Sequence, residues 1–109
     1  MKLLKLIEQT TEQVFGLEAG SLANPSRLPA ITDGRHAYWL AATYFGYGTT
    51  TAGKAIKRHH ANAYNSITSC LHLCQVEPDY RKKVIEIFKT LKSYENIKET
   101  RYRIALYRS

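Results

Sequence analysis

The sequence predicts an all-α fold, a small bundle of five to six helices, on three observations. Apolar residues recur at helical offsets of three, four and seven through four segments. Glycine and proline punctuate the joins between them. A chain of 109 residues, 44% of them apolar, suits one domain that folds without metal or disulfide staples, since a chain of this size buries roughly two thirds of its unfolded surface. It leaves no room for a large second catalytic domain. Residues 1–97 are read as that single domain and residues 98–109 as a basic, tyrosine-rich tail whose structure the pattern does not decide.

The first helix is expected from Lys2 to Phe15, with Leu3, Leu4, Ile7, Thr11, Val14 and Phe15 on one stripe. Gly16 follows where a left-handed cap belongs. Leu17 to Leu22 offers one further turn before Asn24-Pro25-Ser26-Arg27-Leu28-Pro29, whose two prolines stop regular helix. Thr32 and Asp33 are good N-caps for a second helix, from Gly34 to Phe45. Gly46-Tyr47-Gly48 closes it. Thr49, Thr50 and Thr51 then cap a short helix to Ile56, and Lys57-Arg58 breaks the pattern. Beyond the break, Ala63, Ile67, Cys70, Leu71 and Cys74 keep helical spacing, opposite a face of His59, Asn62, Asn65, Ser66, Ser69 and His72 that is polar, uncharged and short. Pro78 and Asp79 open a last amphipathic helix through Val84, Ile87, Phe88 and Leu91.

Charge is distributed unevenly. Sixteen Lys and Arg against nine Asp and Glu leave a net +7, yet the 43 residues from Gly34 to Val76 hold four cations and no carboxylate. At average usage such a stretch carries about five acidic residues. The middle third therefore does not repel a polyanion. Glu8 and Glu12 interrupt the basic N-terminal flank before any apolar run of signal-peptide length forms, and no segment approaches the ~20 apolar residues that span a bilayer. A cytoplasmic location and no membrane partner are expected. Two cysteines, four apart on one helix, suggest no disulfide framework.

A short helix, a turn and a longer helix with a polar outer face form the layout of a helix-turn-helix. In it the helix from Thr50 to Ile56 braces phosphates, and the second helix, starting near Arg58, enters the major groove. Arg58 and Lys57 can reach a guanine or a phosphate, and His59, His60 and Asn62 can donate or accept at base edges. The absence of carboxylates coincides with this unit. Helix order alone is also found in many all-helical proteins that bind no nucleic acid.

Leu6-Ile7-Glu8 through Phe15-Gly16-Leu17, then Gly20-Ser21-Leu22, form an opening helix with an aromatic-glycine end and a short turn. Gly34-Arg35-His36-Ala37-Tyr38-Trp39-Leu40-Ala41 is a basic stretch leading into an alanine-rich helix. Thr49 to Ile56 and then Lys57-Arg58-His59-His60-Ala61-Asn62-Ala63-Tyr64-Asn65-Ser66 complete the series. On these residues, from Leu3 to about Leu91, the chain resembles domain IV, the C-terminal DNA-binding domain of the bacterial replication initiator DnaA, a Trp-repressor-like helix-turn-helix fold. The last segment falls on that family's signature Gly-Gly-Arg-Asp-His-Thr-Thr-Val with one residue fewer in the turn. The resemblance implies that Arg58 and His60 take the places of the signature's arginine and histidine, and that Arg35 lies near the arginine that enters the minor groove. His59 stands where the family has aspartate, and Ala61 and Asn62 where it has two threonines. Such departures imply DNA binding with a different preferred sequence. No ATPase module and no phosphate-binding Gly-rich loop accompany them.

Plainer readings stand beside these. Cys70 and Cys74 share a stripe with Ile67 and Leu71, so core packing outweighs a zinc site with His59 and His60. Of Tyr38 and Trp39, one is expected in the core, and Tyr38 is the better candidate for exposure. His36 and His72 are read as solvated or locally bonded. Arg81-Lys82-Lys83 is balanced by Glu77, Asp79 and Glu86 as a solvated face, while Arg101, Arg103 and Arg108 fit equally a phosphate-binding arm or a solvated tail. Ser66 and Ser69 lack a nearby carboxylate to orient a histidine, so no hydrolytic triad is expected. The expectation is a non-enzymatic, cofactor-free and metal-free binder of double-stranded DNA in replication or transcription control. Arg58, His59, His60 and Asn62 read bases, while Arg35, Thr50, Lys54 and Lys57 hold phosphates or the minor groove. The alternative is an adaptor for a replication protein that keeps the fold, with Tyr47 and Tyr64 near its surface. Oligomeric state is left open.

Overall fold

Leu4 and Ile7 near one end of the chain, and Val84, Ile87, Phe88 and Leu91 near the other, are fully buried in one core. The structure is a computed structural model that describes residues 2–94, and the basic tail 98–109 lies outside the described residues. Among the described residues, five α-helices make the bundle: α1 Lys2–Val14, α2 Pro29–Tyr44, α3 Thr49–Ala55, α4 Ala63–Val76 and α5 Pro78–Tyr94. Two 3₁₀ turns, Ser21–Ala23 and His60–Asn62, complete them. The all-α expectation holds. Among the described residues, no helix is long and apolar enough to cross a membrane.

Helix α2 is the central element, packing most extensively on α4 and also on α1 and α3. Its composition explains why: Ala37, Ala41 and Ala42 keep its surface low enough for neighbours to approach on several sides, and all three are buried. Trp39 and Leu40 fill the space between. Tyr80, at the start of α5, donates from its hydroxyl to the Asp33 carbonyl at 2.9 Å and so ties α5 to α2. On α4, Cys70 and Cys74 are both free and buried, as core packing requires. Their mutual hydrogen bond, followed by burial, pushes the Cys70 thiol up, and the same bond draws Cys74 down.

Three helices end alike. At the end of α1 the Leu17 amide donates to Glu12 O at 2.8 Å and the Gly16 amide to Gln13 O at 3.1 Å. Tyr47 and Gly46 repeat the pair on Ala42 and Thr43, and Arg58 and Lys57 repeat it on Gly53 and Lys54. This is the Schellman arrangement, whose pivotal residue takes a left-handed conformation. Gly16 and Gly46 supply it at φ 70° and 94°, whereas the third pivot is Lys57 at φ 56°.

Two expectations are corrected. Helix α2 begins at Pro29, five residues before Gly34, and Leu28 rather than Thr32 or Asp33 is its N-cap. Pro29 starts the helix instead of blocking it, because the first helical position has no intrahelical use for an N–H. Tyr38 is fully buried rather than exposed; its hydroxyl donates to the Ala52 carbonyl at 2.7 Å, which satisfies the polar tip inside the core. Burial then pushes its pKa well above the ordinary tyrosine value.

Candidate nucleic-acid interface

The connection between α3 and α4 is built from one close approach. Gly53 is buried on α3, and the Arg58 carbonyl lies 2.5 Å from where a Cβ on Gly53 would stand. Absence of a side chain there lets the chain fold back across α3. Lys57 makes the reversal in its left-handed conformation, and His59 restarts the chain. Its Nδ1 accepts from the Ala61 amide at 3.0 Å, capping the 3₁₀ turn His60–Asn62. That bond requires an unprotonated Nδ1, leaving Nε2 of His59 as its outward polar atom. The His59 and His60 rings stack with centroids 4.5 Å apart.

The second helix of this unit, α4, thus starts at Ala63 and not near Arg58. Arg58 and His59 lie in the turn, and His60 and Asn62 in the 3₁₀ segment, so the four candidate base readers precede the helix that was expected to carry them. The run from Lys57 through Asn62 is nonetheless a surface segment: Lys57, His59, His60, Ala61 and Asn62 are exposed and Arg58 is half-buried. Thr50 and Lys54 on α3 are exposed as well. Tyr64, on the first turn of α4, is 78% exposed. Ser66 departs from the polar outer face assigned to it and is buried, and Ser69 is half-buried.

Arg35 behaves differently from the other candidates. Its Nε donates to Leu22 O at 2.9 Å and its Nη1 to Ser26 O at 3.0 Å, while Nη2 donates to Asn24 O. All three nitrogens hold the loop between α1 and α2, so the side chain is a strap within the fold and does not extend outward. Arg58 reaches the same loop: its Nη2 donates to Asn24 O at 2.7 Å and its Nη1 to Lys57 O at 3.1 Å. Two guanidinium groups therefore share one carbonyl oxygen. Burial, with a smaller contribution from Arg58, lowers the Arg35 pKa from its ordinary value.

Between α2 and α4, beneath this pair, runs a groove of about 290 Å³. His36 lines it and is half-buried; its Nδ1 is buried with no hydrogen-bond partner. Burial first, then Arg35, lowers the His36 pKa, against an opposing pull from Asp33. No sequence signal pointed to this groove, because it forms only where α2, extended back to Pro29 and so to Thr32, packs on α4. Among the described residues no group of three or more His, Cys, Asp or Glu side chains could hold a metal ion. Compared with known proteins, the chain matches no family model and no curated protein.

Proposed function

We propose that the chain is a sequence-specific binder of double-stranded DNA. In this reading α3 and α4 form a helix-turn-helix of the DnaA domain IV, Trp-repressor-like type, acting in replication initiation or transcription control without an ATPase or other enzymatic activity of its own, in the cytoplasm. The observation that supports it best is the exposed segment Lys57 to Asn62, which offers cationic and amide side chains at the head of α4 within a carboxylate-free third of the chain. Asn62 and His60 read base edges, and Arg58 and the Nε2 of His59 sit beside them. Thr50, Lys54 and Lys57 hold phosphates, which fix orientation on the duplex but carry no sequence information. Arg35 serves the interface indirectly, by fixing the loop on which Arg58 leans.

A selection from a random duplex library, followed by titration of the winning site, tests the proposal. Binding is expected to weaken steeply with salt as phosphate contacts release counterions. Replacing both His60 and Asn62 by Ala should lower affinity for the selected site about tenfold or more while leaving non-specific affinity nearly unchanged, each good base contact being worth about 1–3 kcal/mol. Failure to enrich any sequence, together with equal affinity of wild type and double variant for all duplexes, overturns it. The exposed Tyr64 supports a second reading, an adaptor that docks on a replication protein. That reading is favoured if no duplex is bound at low salt and Tyr64→Ala abolishes capture of a purified replication protein.

A further inference from the structure

Arg35 and Arg58 donate to the same carbonyl oxygen, Asn24 O, and among the described residues no carboxylate lies within ion-pair range of either. Two cations held together and partly removed from water are costly unless an anion accompanies them. Each guanidinium has five N–H donors; the three bonds of Arg35 and the two of Arg58 leave donors on both. The groove beside them also holds a polar atom without a hydrogen-bond partner, the buried Nδ1 of His36. Its α4 wall is Asn65, Ser66 and Ser69, hydroxyls and an amide without a single negative charge.

We infer that this groove is a binding site for a small phosphate monoester, with Arg35 and Arg58 on the phosphate group and the α4 side chains on the hydroxyl-bearing remainder. A monoester dianion matches two guanidinium charges, whereas a carboxylate leaves one uncompensated. Planar guanidinium groups suit the oxygens of a phosphate through paired N–H donors. The volume of about 290 Å³ admits a molecule on the scale of a sugar phosphate. Trp39 lines the groove and is the chain's single tryptophan, so its emission reports occupancy directly. The groove shares Arg58 and Asn62 with the proposed base-reading set, so the variant that separates the two readings is made on α4, at Ser69.

The experiment is a titration of the full chain with inorganic phosphate and with ribose 5-phosphate at constant ionic strength, reading Trp39 emission and thermal midpoint, with chloride as control. Saturable changes in both are expected. Arg58→Met should weaken the affinity at least tenfold, and Ser69→Phe, which fills the groove from α4, should abolish the response; circular dichroism checks that both variants fold. The inference is overturned if neither probe saturates, if chloride reproduces the effect, or if the two folded variants respond like wild type. It is also overturned if only a short duplex moves Trp39 emission in a Ser69-dependent way, because the phosphate recognised is then a DNA diester. Loss of the phosphate response in Ser69→Phe with duplex binding retained supports the groove and leaves the DNA reading intact. A chain that binds phosphate but no duplex fails that reading alone.

Discussion

The Arg58 amide donates to the Gly53 carbonyl at 2.8 Å, while the Arg58 carbonyl occupies the place a Cβ of Gly53 would need. The two residues lock the end of α3 and the start of the turn into a single contact, with the Trp39 ring closing the third side. Backbone on one side and a core indole on the other leave little room to yield. Gly53→Ala is therefore expected to destabilise the fold by about 1–3 kcal/mol, the range of overpacked sites, as measured by urea unfolding. An unchanged midpoint would show that the turn shifts freely.

Lys57 invites the opposite substitution. A left-handed conformation costs a non-glycine residue about 1–2 kcal/mol, and glycine holds the equivalent position at the ends of α1 and α2. Lys57→Gly should raise stability by about 0.5–1 kcal/mol, part of the gain being offset by the freer unfolded chain. The same change removes one cation, so duplex affinity should fall and its salt dependence become shallower by about one phosphate contact. A fall in stability would contradict the strained turn, and an unchanged or higher affinity would contradict the phosphate contact.

Glu12 holds the 3₁₀ turn from the side of α1. Its Oε2 accepts from the Gly20 amide at 3.0 Å and from the buried Leu22 amide at 3.2 Å. Glu12→Ala leaves a buried donor unsatisfied and should cost about 1–3 kcal/mol. Glu12→Gln keeps an acceptor oxygen in place and should cost distinctly less. Equal losses in the two variants would indicate that side-chain volume, not hydrogen bonding, is what the turn requires.

Glu8 is buried, and its one ion-pair partner among the described residues, Lys5 at 3.6 Å, is largely exposed. Burial raises the Glu8 pKa above the ordinary 4.5, against the pull of Lys5 and with a smaller push from Glu12. A raised carboxyl pKa means the folded state prefers the neutral form. The stability this confers is present below the ordinary value and is lost as pH rises through the folded one. Glu8→Gln should thus be more stable than wild type at neutral pH, with the gap closing below pH 4.5. A variant less stable than wild type at neutral pH would assign the greater weight to the Lys5 pair.

The helices were legible where punctuation and periodicity agreed: Gly16 and Gly46 mark real left-handed ends, and Val84, Ile87, Phe88 and Leu91 are the buried stripe of α5. Pro29 was misread because proline stops a helix in its interior but opens one at its first position. The buried Tyr38 was misread for a different reason, since its acceptor is a main-chain carbonyl fourteen residues away that no side-chain pattern announces. At the candidate interface the break at Lys57-Arg58 was visible, but its conformation was not, because a lysine at a glycine position carries no signal. The engagement of Arg35 and Arg58 on Asn24 depends on tertiary contacts across 11 and 34 residues, beyond the reach of local spacing.

The buried thiol pair on α4 turns the folded chain into its own clock. Folded protein should resist thiol-specific reagents, because Cys70 and Cys74 face the core and only an opening that separates α4 from its neighbours delivers a thiolate to solvent. Labelling rates would then time that separation without any added probe, and a cysteine introduced on the surface could be modified selectively against a silent native background.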